Sequence, residues 1–147
     1  MTLLFRDRTE AGERLAEVLA LYRHPSPIVL ALSREAIPIA AVVAEALGSP
    51  HDLLLPRAIG PAKGETERMV SDLAGKSVIL IDDALRSDGD ARAAIRGART
   101  LGAARVIVAA PIGIEEVIES LCADADEVVC VHAPEEWDAA SSHYAHA

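Results

Sequence analysis

The sequence predicts an α/β domain in which a parallel sheet of about five strands is flanked by helices on both faces. Two observations carry this prediction. Segments of strand length alternate with segments of helix length along most of the chain, which is the pattern of βαβ units. The strand segments are also continuously apolar, as expected when helices cover both faces of a parallel sheet. A length of 147 residues suits one domain, so we expect a single domain over residues 1–147.

The first helix is predicted to begin after Asp7, because Glu10 follows three positions later, as in a capping box. This helix continues to about Tyr22. A second helix is predicted to end at Gly48, since glycine is the usual residue after a helix. The elements predicted after the first helix are strand 28–32, helix 37–47, strands 53–55 and 77–81, helix 91–101, strand 105–110, helix 115–122 and strand 127–132.

Composition narrows the classes of partner. The net charge of −9 and the aromatic content of 3% argue against nucleic acid, which requires a basic face and, for single strands, aromatic stacking platforms. No apolar segment is long enough to span a membrane and the N-terminus lacks a signal pattern, so we expect no membrane partner and a cytoplasmic location. Cys122 and Cys130 have no redox or metal-binding spacing and are expected to be reduced and buried.

A pair of adjacent acids follows one of the most apolar predicted strands. Residues 78–81 are all apolar and lead directly into Asp82 and Asp83. In a parallel sheet, ligands bind beyond the carboxyl ends of the strands, where strand order reverses. This turn and the turns at 33–36 and 57–60 are therefore the candidate ligand edge. Two interpretations remain open: the carboxylates hold ribose hydroxyls or a Mg²⁺ ion, or they cap amides of the turn.

The same stretch resembles the phosphoribosyl pyrophosphate (PRPP) motif of type I phosphoribosyltransferases, in which an apolar strand, two acids and a small residue precede a phosphate loop. The chain is similar in particular to a bacterial subgroup of predicted phosphoribosyltransferases, and the resemblance covers nearly all of it. It implies the Rossmann-like fold of this family and a role in nucleobase or nucleotide metabolism. The other matching segments are 5–16, 32–40 at the pyrophosphate loop, 57–60, 106–111, 128–130 and 134–144.

The resemblance also implies a role for each residue of these turns. Asp82 and Asp83 would be the catalytic residues, holding the ribose hydroxyls and, as weak metal ligands, a Mg²⁺ cofactor. The expected partner is PRPP or another small phosphorylated ligand, and the expected assembly is a homo-oligomer, as a dimer. The 5′-phosphate loop would consist of Arg86, Ser87, Asp88, Gly89 and Asp90, and the pyrophosphate loop of Ser33, Arg34 and Glu35.

Several residues depart from the family pattern. Asp88 and Asp90 stand where the family has glycine and threonine, Glu35 and Ala36 replace two glycines, and Ala58 replaces lysine. The insertion that forms much of the lid and base-binding hood is missing between positions 60 and 75. We therefore expect a degenerate PRPP motif and a reduced hood.

The acids in the phosphate loop predict that the protein's own carboxylates fill the anion site. Two unit charges about 4 Å apart repel by roughly 4 kcal/mol at an effective dielectric constant near 20. A helix dipole stabilises an anion by only about 0.3–1 kcal/mol. Asp88 or Asp90 is therefore expected to cap the amides of the helix that begins at Ala91, at the expense of a bound phosphate.

Three functions follow as hypotheses. The leading one is a phosphoribosyltransferase-related protein with lost or reduced catalysis and a ligand-sensing or interaction role. An alternative is an active Mg²⁺-dependent enzyme that transfers phosphoribosyl from PRPP to a nucleobase, because both ribose-side acids and Arg34 are retained. A second alternative is a structural subunit of a complex, because the short segment 60–75 would leave an apolar surface to be covered.

Overall fold

The computed structural model describes residue 5 and residues 7–53 and 73–134. Five strands form one sheet in the order β2-β1-β3-β4-β5, and every neighbouring pair is parallel. The predicted fold class is confirmed. The elements are α1 Arg8–Leu19 with a 3-10 turn at Ala20–Tyr22, β1 Ile28–Ala31, α2 Ile37–Leu47, β2 His51–Leu53, β3 Ser77–Ile81, α3 Gly89–Thr100, β4 Arg105–Ile112, α4 Glu115–Leu121 and β5 Glu127–His132.

Strand order reverses between β1 and β3. The chain passes outward from β1 to β2 and then returns to place β3 on the other side of β1. Ala31 pairs with Ile81 in this register, so the two strands end at the same level. The Leu32 N–H donates to the Ile81 carbonyl at 2.8 Å and holds the loops that follow the strands side by side. This is the switch point at which α/β sheets bind ligands.

The core has two layers, one on each face of the sheet. Alternate residues of β3 point to opposite faces: Val78 and Leu80 pack in the layer of α3 and α4, whereas Ile79 and Ile81 pack in the layer of α1 and α2. All four side chains are fully buried. The strand is apolar at every one of these positions because neither face of the sheet meets water.

The residues predicted to begin the first helix and to end the second have the predicted roles. The Asp7 carboxylate accepts a hydrogen bond from the Glu10 backbone N–H at 2.9 Å, as the capping pattern requires. Gly48 ends α2 in the left-handed conformation, with φ of 65°. Gly12 lets α1 and α2 approach closely, because a Cβ at this position would lie 2.9 Å from the Cβ of Val42.

Several element bounds differ from the prediction. α3 begins at Gly89, before the predicted start at 91, and β4 continues past 110 to Ile112. β2 comprises His51–Leu53 and overlaps the predicted strand 53–55 at its first residue. Positions 54–55, and the predicted turn at 57–60 with Ala58, lie outside the described residues.

Both cysteines are free thiols, as predicted. Cys130 is largely buried, and burial raises the pKa of its thiol to about 12. Cys122 is exposed, so the prediction of burial was wrong for this residue. It lies just after α4, and α4 is short and contributes only Leu121 to the buried set. Among the residues that the structure describes, no helix is long and apolar enough to cross a membrane.

Candidate functional site

A cavity of about 550 Å³ opens at the carboxyl ends of β1 and β3. It lies at the switch point of the sheet, between the loop that follows β1 and the loop that follows β3. Its apolar lining comes from Leu32, Ala84 and Ile114. Its polar lining consists of Ser33, Glu35, Asp82, Asp83, Arg86, Ser87 and Asp90. The structure thus brings together most of the residues predicted from two loops far apart in sequence.

Asp82 is a cavity acid whose pKa is raised well above its ordinary value. Its Oδ1 accepts hydrogen bonds from the backbone N–H of Asp83 at 2.8 Å and from the Ser33 hydroxyl at 3.5 Å. Burial against the end of β3, followed by the hydrogen bond and charge of Asp83, raises the pKa of Asp82 to about 7. A substantial fraction of Asp82 is therefore protonated at neutral pH, when it is able to donate as well as accept.

Asp83 is paired with a basic residue that the sequence analysis did not assign to the site. The Arg8 guanidinium Nη2 lies 3.4 Å from Asp83 Oδ2. Arg8 belongs to the first turn of α1. This helix, near the start of the sequence, places a cation beside Asp83. The two residues are 75 positions apart, so no rule based on neighbouring residues could predict this pair. The only available signal was the position of Arg8 beside the helix start at Asp7.

The loop after β1 contributes Ser33 and Glu35 to the cavity. Ser33 Oγ accepts from the Ala36 backbone N–H at 3.3 Å and so fixes the turn that leads into α2. The same hydroxyl reaches Asp82, which links the two loops. Arg34, predicted to face a pyrophosphate, is exposed and does not line the cavity. Glu35 is the charged residue that this loop presents to the cavity.

The loop after β3 is pinned at its middle by Leu85. The Leu85 N–H donates to the Ile112 carbonyl at 2.9 Å, and the Leu85 carbonyl accepts from the Ile114 N–H at 3.0 Å. Its side chain is fully buried. Arg86 and Ser87 follow at the cavity edge, and Asp90 lines the cavity from the first turn of α3. The backbone of the predicted phosphate loop is thus anchored to the end of β4.

The prediction that Asp88 or Asp90 caps the helix amides is wrong for Asp88. Asp88 stands at the N-cap of α3, but α3 has no side-chain cap within the described residues. Asp88 Oδ2 accepts instead from Ser120 Oγ at 2.7 Å and from Arg92 Nη1 at 2.8 Å. These two hydrogen bonds lower the pKa of Asp88. A charge-assisted pair to Arg92 replaces the weaker bonds to neutral amides, and Asp88 does not line the cavity.

The two acids at the end of β3 lie far from the arrangement of a protein-only metal site. Within residues 5, 7–53 and 73–134, no three His, Cys, Asp or Glu side chains are grouped so that they could hold a metal ion. Asp83 is engaged by Arg8 and Asp82 by two donors. This donor set does not fit an ion bound by protein groups alone. It fits a Mg²⁺ that carries further oxygens from a phosphorylated ligand.

Comparison with known proteins agrees with this fold. The profile of the family described as phosphoribosyl transferase domain matches residues 8–146. A provisionally named phosphoribosyl transferase of Mycobacterium tuberculosis is 29% identical over 180 aligned positions, which cover 89% of this chain and 41% of that protein. A ribose-phosphate pyrophosphokinase of Pyrococcus furiosus is 33% identical over 103 residues, covering 69% of this chain and 37% of the relative. This chain thus spans about two fifths of the length of these relatives.

Solved structures resemble the chain over most of its length. A crystal structure of a Thermus thermophilus protein has a TM-score of 0.79 at 26% identity, covering 97% of this chain and 91% of the other. An orotate phosphoribosyltransferase of Aeropyrum pernix has a TM-score of 0.65 at 21% identity, covering 84% of this chain and 68% of that one. The first agrees nearly end to end, and the second supports the fold alone. These likenesses agree with the fold, and the profile match over residues 8–146 shows that the chain belongs to the phosphoribosyl transferase family.

Proposed function

We propose that this domain binds a ribose 5-phosphate group, as carried by nucleotides and ribose phosphates, and acts as a ligand-sensing module of nucleotide metabolism in which phosphoribosyl transfer is lost or much reduced. The observation that carries the proposal is the charge of the cavity. Among the described lining residues, Glu35, Asp82, Asp83 and Asp90 are acidic and Arg86 is basic.

The pyrophosphate side of the cavity supports the loss of transfer. Glu35 faces the cavity from the loop where the family resemblance places pyrophosphate, while Arg34 is turned to solvent. A carboxylate about 4 Å from a phosphoryl charge costs roughly 4 kcal/mol at an effective dielectric constant near 20. A pyrophosphate group carries several such charges, so the cost rises for PRPP. This side of the site therefore disfavours both the donor and its leaving group.

The 5′-phosphate side supports retained binding of a singly phosphorylated ribose. Asp88 is turned toward Arg92 and Ser120 and makes no capping hydrogen bond to the amides at the start of α3. Backbone N–H groups at a helix N-terminus are suited to phosphate. Asp82, protonated or ionised, and Asp83 offer oxygens for ribose hydroxyls. The site thus favours the ribose phosphate over the diphosphate.

The comparison with the Mycobacterium tuberculosis relative also supports reduced catalysis. Its alignment runs over 180 positions although this chain has 147 residues, so the relative carries residues within the matched region that this chain lacks. The proposal takes them to be the hood. Transfer through a cationic sugar centre requires water to be kept from the site. A shortened hood would leave the site open to water and so disfavour transfer.

Isothermal titration tests the proposal. Wild-type protein should bind ribose 5-phosphate, and PRPP with Mg²⁺ should bind no more tightly. Glu35→Gln should improve the affinity for PRPP relative to ribose 5-phosphate by at least about fivefold, because the repulsion removed lies between about 1 kcal/mol in water and about 4 kcal/mol at an effective dielectric constant near 20. Glu45→Gln, on the exposed face of α2, is the matched control. Micromolar PRPP binding together with pyrophosphate release on adding nucleobases would refute the loss of transfer.

A second candidate is an active Mg²⁺-dependent transferase that uses PRPP and a nucleobase. It is favoured by the position of Asp82 and Asp83 in the cavity, which fits ribose hydroxyls and a Mg²⁺ that arrives on the donor. Asp82→Asn would then abolish a measurable transfer activity. Absence of transfer to any common purine or pyrimidine would count against this candidate. A cytoplasmic location stays a prediction in both cases.

A third candidate, a subunit of a homodimer or larger complex, is favoured by the exposed apolar side chains on the outer face of α1 and the turn after it. Leu21 is 86% and Val18 43% exposed. Sedimentation at micromolar concentration should show an assembly, which Leu21→Glu should weaken. A monomer under the same conditions would exclude this candidate.

A further inference from the structure

We infer that Arg92 and Ser120 are positioning residues that hold the Asp88 carboxylate away from the amides at the start of α3, and so keep the loop open to the phosphate of a ribose phosphate. The inference rests on the proposed function, and it assigns a role to residues outside the cavity. Neither Arg92 nor Ser120 lines the cavity. Both act on it through Asp88.

Two donors hold the Asp88 carboxylate, and we call this pair, Arg92 and Ser120, the clamp. One oxygen, Oδ2, accepts from Ser120 Oγ at 2.7 Å and from Arg92 Nη1 at 2.8 Å. Arg92 lies one helical turn after Asp88 on α3, and Ser120 lies on α4. The Asp88 carboxylate is thus drawn toward α4.

Arg92 is itself held at several points. Its Nε donates to Asp124 Oδ2 at 2.7 Å, and its Nη2 donates to Ser120 Oγ at 2.6 Å and to the Ser120 carbonyl at 3.1 Å. A guanidinium bound on three sides has little freedom to turn. It therefore presents Nη1 to Asp88 in a fixed direction, so the withdrawal of Asp88 is a property of the α3–α4 packing.

Without the clamp, Asp88 would return to the helix end. Aspartate at an N-cap position ordinarily accepts from the amides two or three residues later, and here these belong to Asp90 and Ala91. The Asp88 backbone has φ −99° and ψ −9°, whereas a capping residue usually has extended dihedrals. Release would allow the extended form, and the carboxylate would then compete with a bound phosphate for the same N–H groups.

Titration with ribose 5-phosphate across four variants tests this inference. Arg92→Ala should weaken binding by about tenfold or more, and Asp88→Ala alone, which has no side chain able to cap the amides, should bind more tightly than Arg92→Ala. The double variant Arg92→Ala with Asp88→Ala should recover nearly the wild-type affinity, because the competing side chain is gone. Arg99→Ala is the matched control, since Arg99 bonds to the Asp124 carbonyl from the same helix but has no bond to Asp88.

A double variant that binds as weakly as Arg92→Ala would overturn the inference, because Arg92 would then act through its own charge or through the fold. Unchanged binding in Arg92→Ala would overturn it as well. If Arg92→Ala fails to fold by circular dichroism, Ser120→Ala removes one of the two bonds to Asp88 and should show the same loss and rescue in smaller measure.

Amide hydrogen exchange provides a test without ligand. The Asp90 and Ala91 amides should exchange more slowly in Arg92→Ala than in wild type, and the wild-type rate should return when Asp88→Ala is added. Equal rates in all variants would refute the positioning role. If wild-type protein fails to bind ribose 5-phosphate, the proposed function fails, and the exchange rates still decide the role of Arg92 and Ser120.

Discussion

Replacing Asp82 by asparagine should stabilise the protein above neutral pH. Burial, then the hydrogen bond and charge of Asp83, raise the pKa of Asp82 from 3.8 to about 7. The folded protein therefore holds the Asp82 proton more tightly than the unfolded chain does. The stabilising effect of this proton is complete below the unfolded pKa of 3.8 and is lost as the pH rises through about 7.

The size of the effect follows from the pKa shift. One pKa unit corresponds to about 1.4 kcal/mol, so a group shifted this far costs at most about 4 kcal/mol of folding free energy once it is ionised. Asparagine keeps an oxygen that accepts from the Asp83 N–H and carries no charge. Its amide needs partners of its own, so we expect a net gain of about 2 kcal/mol at pH ~8.5.

Urea denaturation followed by far-UV circular dichroism measures this gain. Wild type, Asp82→Asn and a control should be compared at about pH 5 and about pH 8.5. Glu13→Gln is the control, because Glu13 is exposed on α1 and its replacement removes the same charge. The stability difference between Asp82→Asn and wild type should grow with pH, and that of Glu13→Gln should not. An Asp82→Asn protein no more stable than wild type at the higher pH would refute the reasoning.

Three further predictions concern packing, capping and thiol reactivity. Gly12→Ala should destabilise the fold by about 1–3 kcal/mol in urea, because its Cβ would lie 2.9 Å from the Cβ of Val42; unchanged stability would show that α1 and α2 separate freely. Asp7→Ala should cost about 1 kcal/mol by thermal melting, whereas Asp7→Ser should retain most of the cap. A disulfide reagent should modify exposed Cys122 before Cys130, whose pKa is raised to about 12 by burial; equal rates in Cys122→Ser and Cys130→Ser proteins would contradict this.

The fold could be predicted because each element carries a local signal that the tertiary structure obeys. The apolar run 78–81 requires a strand covered on both faces, and the structure buries it completely. The Asp7–Glu10 pair and Gly48 fix the ends of two helices by short-range chemistry. These signals depend on residues close in sequence, which is why they can be recognised without a structure.

The site could be predicted only in part, because its charges are set by residues far apart in sequence. The cavity includes Asp82 and Asp83 as expected, but their electrostatics depend on Arg8, which is 75 positions away from Asp83. The prediction of a cap at Asp88 or Asp90 follows from their position just before a predicted helix, and this rule considers only residues close in sequence. Ser120 and Arg92 both donate to the Asp88 carboxylate, and the contact with Ser120 exists only after α3 and α4 have packed.

The arrangement of Asp82 and Asp83 bears on function because it works against stability. Two adjacent acids at the end of a buried strand repel each other, and burial raises the pKa of Asp82, so an uncharged pair would give a more stable fold. Arg8 offsets this cost at Asp83 alone. A destabilising group held in a cavity at the switch point of the sheet is typical of a ligand site. The family fold and the cavity chemistry therefore point to the same place, and the Asp82→Asn protein should be both more stable and less able to bind a ribose ligand.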